Sequence, residues 1–73
     1  MSKKEKNTIF FIAWIVEAYK RNHNITGEQT IEVFRKHSII EWLSENYDVL
    51  HTVSASYVIS EINDIIKTDN GDS

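Results

Sequence analysis

Residues capable of acid–base chemistry come closest together in and just after the stretch "ENYDVLHT", residues 45–52. Asp48 and His51 are three positions apart, and Ser54 and Ser56 follow. A carboxylate that orients an imidazole, which in turn activates a hydroxyl, is the arrangement of a nucleophilic hydrolase. That chemistry also needs a concave pocket, for which a short chain has little volume. We therefore expect His51 to be structural, bonded to Asp48 or to a helix-end carbonyl, and expect neither enzymatic activity nor a small-molecule substrate.

Metal chemistry is the second possibility that the residue types raise. His23, His37 and His51 lie fourteen residues apart, and no HxxxH or HExxH spacing places two of them on one helical face. The chain has no Cys, so a thiolate site and a disulfide are both excluded. We predict no metal site and no cofactor.

A nucleic-acid function is the third possibility. Helices expected over residues 27–37 and 38–46 with a tight joint are similar in outline to a helix-turn-helix, but the second would expose Glu41 and Glu45 and has no Lys or Arg. Phosphate contacts supply much of the affinity in such complexes, so an acidic reading helix is a poor candidate. The alternative function is a small regulatory protein that contacts nucleic acid through a basic patch. That patch would consist of Lys20, Arg21, Arg35 and Lys36, with His23 nearby.

Size sets a limit on stability. The chain has 73 residues, 41% of them apolar and 26% charged, which is typical of one small globular domain. A domain of this length buries only about 60% of the surface that its unfolded chain exposes. We expect it to need tight helix packing, self-association or a partner protein.

The apolar run Ile9–Val16 follows a basic start and is similar to the core of a signal peptide. No small-x-small cleavage site follows it, and eight apolar residues are too few for a membrane span, which needs about 20. We predict a folded, cytoplasmic segment with no membrane contact.

Charge is distributed unevenly along the chain. Residues 1–37 contain seven Lys or Arg against four Glu, a net charge of +3, whereas residues 38–73 contain one Lys against seven acidic residues, a net charge of −6. Such a dipolar molecule can dock its acidic half on a basic partner or on its own opposite end.

The spacing of apolar residues predicts four helices, three of which end by about residue 46. The first is expected from a cap at Asn7 or Thr8 to about Asn22 and is apolar nearly all round. Thr26 with Gln29 and Ser38 with Glu41 fit two capping boxes, which begin two short helices. The helix after Thr26 should point Ile31 and Phe34 inward, and the helix after Ser38 should carry an apolar stripe with Trp42 and Leu43.

The last third contains a connection and a final helix. Val49 and Leu50 are predicted to be a buried pair in an extended connection, and Thr52 or Ser54 to cap a helix with Ala55, Val58, Ile62 and Ile65 facing inward. The fold class is therefore all-α, a small bundle of four helices with a long N-terminal helix, two short middle helices and a C-terminal helix. Residues 7–67 form the single domain, with flexible tails at 1–6 and 68–73.

The stretch "TGEQTIEVFRKHSIIEWLSENYDVLHT", followed by "YVISEINDII", resembles a family of small bacterial proteins known only as a domain of unknown function. The resemblance covers about residues 8–66, and its most specific piece is "YDVLHT", Tyr47–Thr52. Ser38 stands where the family usually has Gly. Members are often encoded beside a protein similar to an ADP-ribosyltransferase toxin, which implies an accessory or antitoxin-like role.

Protein binding is the function that these observations favour together. The core is small, the first helix has more apolar surface than one bundle can cover, and the charge is lopsided. Aromatic side chains dominate binding hot spots, and Trp14 or the Phe10–Phe11 pair is expected at a subunit interface. We predict a non-enzymatic protein-binding module, with a protein partner or a homo-oligomer. The predicted contact residues are Trp14, Tyr19, Trp42, Tyr47, Asp48 and His51.

Overall fold

The computed structural model describes residues 2–70, and within that range the chain forms five α-helices and no strand. The helices are α1 (Lys3–His23), α2 (Gly27–Lys36), α3 (Ile39–Glu45), α4 (Tyr47–Leu50) and α5 (Ala55–Asp69). α1 runs along the bundle and packs against α2, α3 and α5. The prediction of a small all-α bundle is confirmed, and α4 is a single additional turn.

The first helix begins earlier than the sequence predicted. Ser2 is its N-cap, and a capping box with Glu5 satisfies the exposed amides of the first turn. Thr8 is not a cap, because its hydroxyl donates to the Lys4 carbonyl at 2.8 Å from inside the helix. Residues 3–6, which we expected in a flexible tail, therefore form the first turns of α1. The helix ends at Asn24, whose left-handed backbone (φ 54°) stops it.

The second helix starts as predicted. The Thr26 hydroxyl accepts from the Gln29 amide at 3.0 Å, and the Gln29 side chain accepts from the Thr26 amide at 2.9 Å. Phe34 is fully buried as expected, but the prediction that Ile31 points inward was wrong, because Ile31 is exposed and Thr30 is buried one turn before Phe34. Burial of the Thr30 hydroxyl is tolerated because it donates to the Thr26 carbonyl.

The joint between α2 and α3 differs from the predicted capping box. Ser38 has a left-handed backbone (φ 54°, ψ 34°), and its side chain makes no capping hydrogen bond. A capping side chain needs an extended backbone at the N-cap to reach the amide three residues later, which the left-handed conformation prevents. A left-handed residue favours Gly.

The predicted extended connection is also a correction. Tyr47–Leu50 is one turn of helix, which places Leu50 in the core, 5% exposed, while Val49 is 67% exposed. Side chains one position apart on a helix point about 100° apart, and in this turn only Leu50 faces the core. Ser54 caps α5 as predicted by accepting from the Tyr57 amide, whereas Thr52 donates to the Val49 carbonyl.

The core is built from one face of each helix. Its members are all apolar or aromatic: Phe11, Ile15, Tyr19, Phe34, Ile39, Leu43, Leu50, Val58, Ile59 and Ile62. Val58 and Ile62 confirm the inward face predicted for α5, with Ala55 and Ile65 partly buried beside them. Within the described residues, no helix is long and apolar enough to cross a membrane.

A polar contact joins the C-terminal ends of α2 and α5. The Nδ1 atom of His37, at the end of α2, lies 3.2 Å from a carboxylate oxygen of Asp69, at the end of α5. Thr68 and Asp69 belong to the last turn of α5, although we predicted residues 68–73 to be a flexible tail. Met1 and residues 71–73, also in the predicted tails, lie outside the described residues.

Candidate protein-binding surface

The α4 turn presents its outer side to solvent on a fixed backbone. Leu50 anchors it in the core and Tyr47 is half-buried, whereas Asp48, Val49 and His51 are exposed. The Leu50 amide donates to the Asn46 carbonyl at 2.9 Å, and the Asn46 side-chain amide donates to the Trp42 carbonyl at 2.9 Å. The backbone that carries the exposed Val49 side chain is therefore fixed by the buried Leu50 and by the end of α3.

A row of rings fixes α4 on α1. The Tyr47 ring meets Phe11 edge to face, with centroids 5.5 Å apart, and lies parallel to the His51 imidazole, with centroids 4.5 Å apart. The Nδ1 atom of His51 is 2.7 Å from the Tyr47 carbonyl oxygen. Because a carbonyl only accepts, Nδ1 is the donor, and Nε2 of the neutral ring remains as an acceptor.

Trp14 extends this row along α1. Its ring centroid is 6.2 Å from that of Phe11, and 47% of the residue is exposed. Phe11 therefore lies between a half-exposed indole and the Tyr47–His51 stack. We call the set Trp14, Tyr47, Asp48, Val49 and His51 the α4 surface.

One exposed ion pair borders the α4 surface. Lys4 Nζ lies 3.7 Å from an Asp48 carboxylate oxygen, and both side chains are about three-quarters exposed. Pairs of this kind contribute about 0–1 kcal/mol, so Asp48 is held only loosely and can exchange Lys4 for another cation.

The sequence model of a protein family, DUF3791, described as a protein of unknown function, matches residues 10–69. The chain belongs to the DUF3791 family. The matched segment contains α2 to α5 entire and α1 from Phe10 onward, so it includes every residue of the α4 surface. No curated protein and no solved structure gave a match.

Two predicted contact residues of the DUF3791 chain lie away from the α4 surface. Tyr19 is a core residue, 5% exposed, whose ring meets Phe34 edge to face at 5.1 Å, and burial raises its pKa above 10.0. Trp42 is half-buried in a groove against α5, where Glu61 and Asp64 are its acidic neighbours. Tyr19 is inaccessible to a partner, and Trp42 belongs to a different part of the surface.

The residues considered for catalysis have other partners in the DUF3791 chain. His51 bonds the Tyr47 carbonyl, not Asp48, and Asp48 pairs with Lys4. The Ser54 hydroxyl accepts from the Tyr57 amide as the cap of α5. The expected structural bond of His51 to a carbonyl is therefore present, within a helical turn.

The three histidines lie apart in the DUF3791 fold. His23 stacks on Tyr19 at 4.1 Å, His37 contacts Asp69, and His51 stacks on Tyr47. Among residues 2–70, no three His, Asp or Glu side chains are grouped in a way that would hold a metal ion.

The basic residues of the first half do not form one patch in the DUF3791 chain. Arg21 lines a groove between α1 and α5, whereas Arg35 lines a groove between α1 and α2 beside Glu28 and Glu32. Lys20 is paired with Glu17 at 3.1 Å. Arg21 and Arg35, two residues of the patch that the nucleic-acid alternative requires, therefore line different grooves, and the groove with Arg35 is acidic as well as basic.

Two exposed residues of the DUF3791 chain were missed or left ambiguous by the sequence. Val49 was predicted to be buried, although the i, i+3 spacing of Tyr47 and Leu50 was a signal for a helical turn with Val49 outside. The Phe10–Phe11 pair is divided, with Phe11 in the core and Phe10 63% exposed.

Proposed function

We propose that this protein is a non-enzymatic protein-binding module and that the α4 surface is where its partner docks. The exposure of Val49 on a turn that the contact of Tyr47 with Phe11 fixes on α1, next to the half-exposed Trp14 on the same helix, is the observation that carries the proposal. Because Val49 is exposed, its replacement by a polar residue should cost little stability, whereas its coverage by a partner chain would remove apolar surface from water.

The stacking of α4 supports a binding role because it removes conformational freedom before any partner arrives. Phe11, Tyr47 and His51 form a continuous row of contacting rings, and the His51 bond to the Tyr47 carbonyl fixes the imidazole. A side chain already held in one rotamer loses little entropy on binding, so more of the contact energy becomes affinity.

The finer proposal is an accessory or antitoxin-like subunit of an enzyme encoded beside it. The resemblance of "YDVLHT" to the bacterial family with toxin-like neighbours supports this role. In this proposal the protein acts in the cytoplasm. The weakly held Asp48 and the net charge of −6 over residues 38–73 favour a partner surface that is basic.

The test is a calorimetric titration of the purified chain with the purified product of the neighbouring gene. Val49→Ser and Trp14→Ser should each weaken the complex by about tenfold or more, because truncation of a hot-spot residue costs about 2 kcal/mol or more. Ile31→Ser is the matched control, because Ile31 is an exposed apolar residue that lines the groove between α1 and α2.

The result that supports the proposal is loss of affinity in both α4-surface variants with unchanged affinity for the Ile31 control. Absence of any complex between the wild-type proteins would overturn the accessory role. A complex that Val49→Ser and Trp14→Ser leave at full affinity would overturn the α4 surface as the docking site.

A further inference from the structure

The outer face of α1 carries a second apolar surface that no helix of the described chain covers. Phe10 and Ala13 are exposed on this face, opposite the buried Ile15 and Tyr19, and the half-exposed Ile9 lies at its edge, in a groove towards α3. We propose that this face is a two-fold interface at which α1 of one copy packs antiparallel on α1 of a second copy. The proposal goes beyond the binding function of the α4 surface and does not depend on it.

The order of residues along this face is what identifies a second copy as the occupant. Lys6 lies four residues before Phe10, and Glu17 lies four residues after Ala13. All four are exposed. Reversing the helix direction therefore exchanges Lys6 with Glu17 and Phe10 with Ala13. A two-fold axis between Phe11 and Ile12 would set each Lys6 against the Glu17 carboxylate of the other copy.

The same exchange gives the apolar residues complementary shapes. Each Phe10 ring lies against an Ala13 of the second copy, and the small side chain allows the helices to approach closely. A parallel arrangement would instead place Lys6 on Lys6 and Glu17 on Glu17, which is repulsive. The pattern therefore selects the antiparallel orientation.

Glu17 is able to make the second contact. One of its carboxylate oxygens lies 3.1 Å from Lys20 of the same helix, and its side chain is 54% exposed. A carboxylate accepts several hydrogen bonds, so Glu17 can hold Lys20 and a lysine of the other copy together.

The size of the face predicts a weak dimer. Partly exposed Ile9, Phe10 and Ala13 offer on the order of 200–300 Å² of apolar area on each copy, whereas a stable interface buries about 800 Å² per partner. We expect dissociation in the micromolar range or weaker, with rapid exchange between monomer and dimer.

Sedimentation velocity over a series of chain concentrations tests the interface. The series extends to about 1 mM, so that a dimer with a micromolar dissociation constant is fully formed. The full chain should shift from monomer to dimer, and Phe10→Ser should weaken association by about tenfold or more. Phe10 is exposed, so this substitution leaves the core intact, and a thermal melt of each variant verifies folding.

Charge reversal tests the register. Lys6→Glu and Glu17→Lys should each weaken the dimer by about tenfold, because each introduces two like-charged contacts. The double variant should dimerise as the wild type does, and an equimolar mixture of the two single variants should form heterodimers. Glu32→Lys and Lys36→Glu, both exposed on α2, are the matched controls and should leave association unchanged.

The outcomes separate this interface from the α4 surface. A chain that stays monomeric at the highest concentration overturns the proposal, and so does a dimer that Phe10→Ser leaves unchanged or that the double reversal does not restore. A dimer lost in Val49→Ser but not in Phe10→Ser would mean that the copies associate through α4 instead. Partner binding measured on the Lys6→Glu variant shows whether the α4 function stands when the dimer is absent.

Discussion

The imidazole of His51 lies parallel to the Tyr47 ring, with an interplanar angle of 10°, and its Nδ1 atom is 2.7 Å from the Tyr47 carbonyl oxygen. The two residues are one helical turn apart, so α4 is closed by its own side chains as well as by its backbone. This closure explains how a turn of four residues remains helical, although an isolated helix of that length would not.

The first prediction concerns the His51 tautomer. At a pH where the ring is neutral, Nδ1 should carry the proton because the Tyr47 carbonyl can only accept. Long-range ¹H–¹⁵N correlation spectra distinguish protonated from bare ring nitrogens. Observation of a proton on Nε2 with Nδ1 bare would show that the bond to the carbonyl is absent in solution.

The second prediction compares two neighbouring apolar residues. Leu50→Ala should destabilise the fold by about 2–4 kcal/mol, because it removes a buried side chain and leaves a cavity. Val49→Ala should change the free energy of unfolding by less than about 0.5 kcal/mol, because Val49 is exposed. Urea denaturation of both variants is the measurement. Equal losses of stability in the two variants would contradict the helical turn and support the predicted extended connection, in which both residues are buried.

The third prediction concerns the joint at Ser38. Ser38→Gly should stabilise the protein by about 0.5–1 kcal/mol, because glycine adopts the left-handed backbone without steric cost. Ser38→Ala should have little effect, since the Ser38 side chain makes no capping bond. Asn24→Gly is the matched control at the other left-handed residue. It should stabilise the protein less than Ser38→Gly does, because Asn tolerates that conformation.

If Ser38 instead formed a capping box, both Ser38 substitutions would lower the free energy of unfolding. Loss of a true cap costs about 1 kcal/mol, so both Ser38 variants would then unfold at lower urea concentration than the wild type. The comparison therefore decides between the two conformations of the joint.

The fourth prediction concerns alkaline pH. Burial raises the pKa of Tyr19 above 10.0, because the phenolate would lose its hydration in the core. The unfolded state therefore releases this proton first as pH rises. Stability contributed by the neutral Tyr19 is complete below about pH 10 and is lost as pH rises through the folded-state pKa.

Tyr19→Phe should remove this loss. The stability of the variant relative to the wild type should rise as pH increases beyond about 10, measured by urea denaturation at several pH values. Tyr57→Phe, at an exposed position, controls for the absence of a phenol as such. A Tyr19→Phe difference that is constant with pH would contradict the buried neutral phenol.

The regular helices could be predicted because their signals are local. The Thr26–Gln29 capping box and the inward residues of α5 depend on contacts within a few positions, and the structure has both. The start of α1 was missed because Thr8 competes as a cap, and only the observed bonds show that its hydroxyl is used within the helix.

The α2–α3 joint and α4 could not be predicted from local pattern. Ser38 and Glu41 have the spacing of a capping box, but Ser38 joins two helices that pack Phe34, Ile39 and Leu43 into one core, and its backbone there is left-handed. Val49 and Leu50 are both apolar, and which of the two faces inward depends on how α4 packs on the rest of the bundle, including the contact of Tyr47 with Phe11.

For the same reason, the sequence could not show which of the proposed contact residues share one surface. Trp14, Tyr47, Asp48 and His51 lie on one surface because α4 packs on α1, a long-range contact that spacing cannot reveal. Tyr19 and Trp42 were chosen by residue type, and type alone does not separate a core ring from an exposed one.

Amide hydrogen–deuterium exchange tests the docking surface most directly, comparing the chain alone with its complex with the neighbouring gene product at equal chain concentration. We predict that exchange slows on binding at residues 46–53 and around Trp14, with α2 unchanged as an internal reference. Slowing confined to α2, or unchanged exchange across α4 in a saturated complex, would contradict the account.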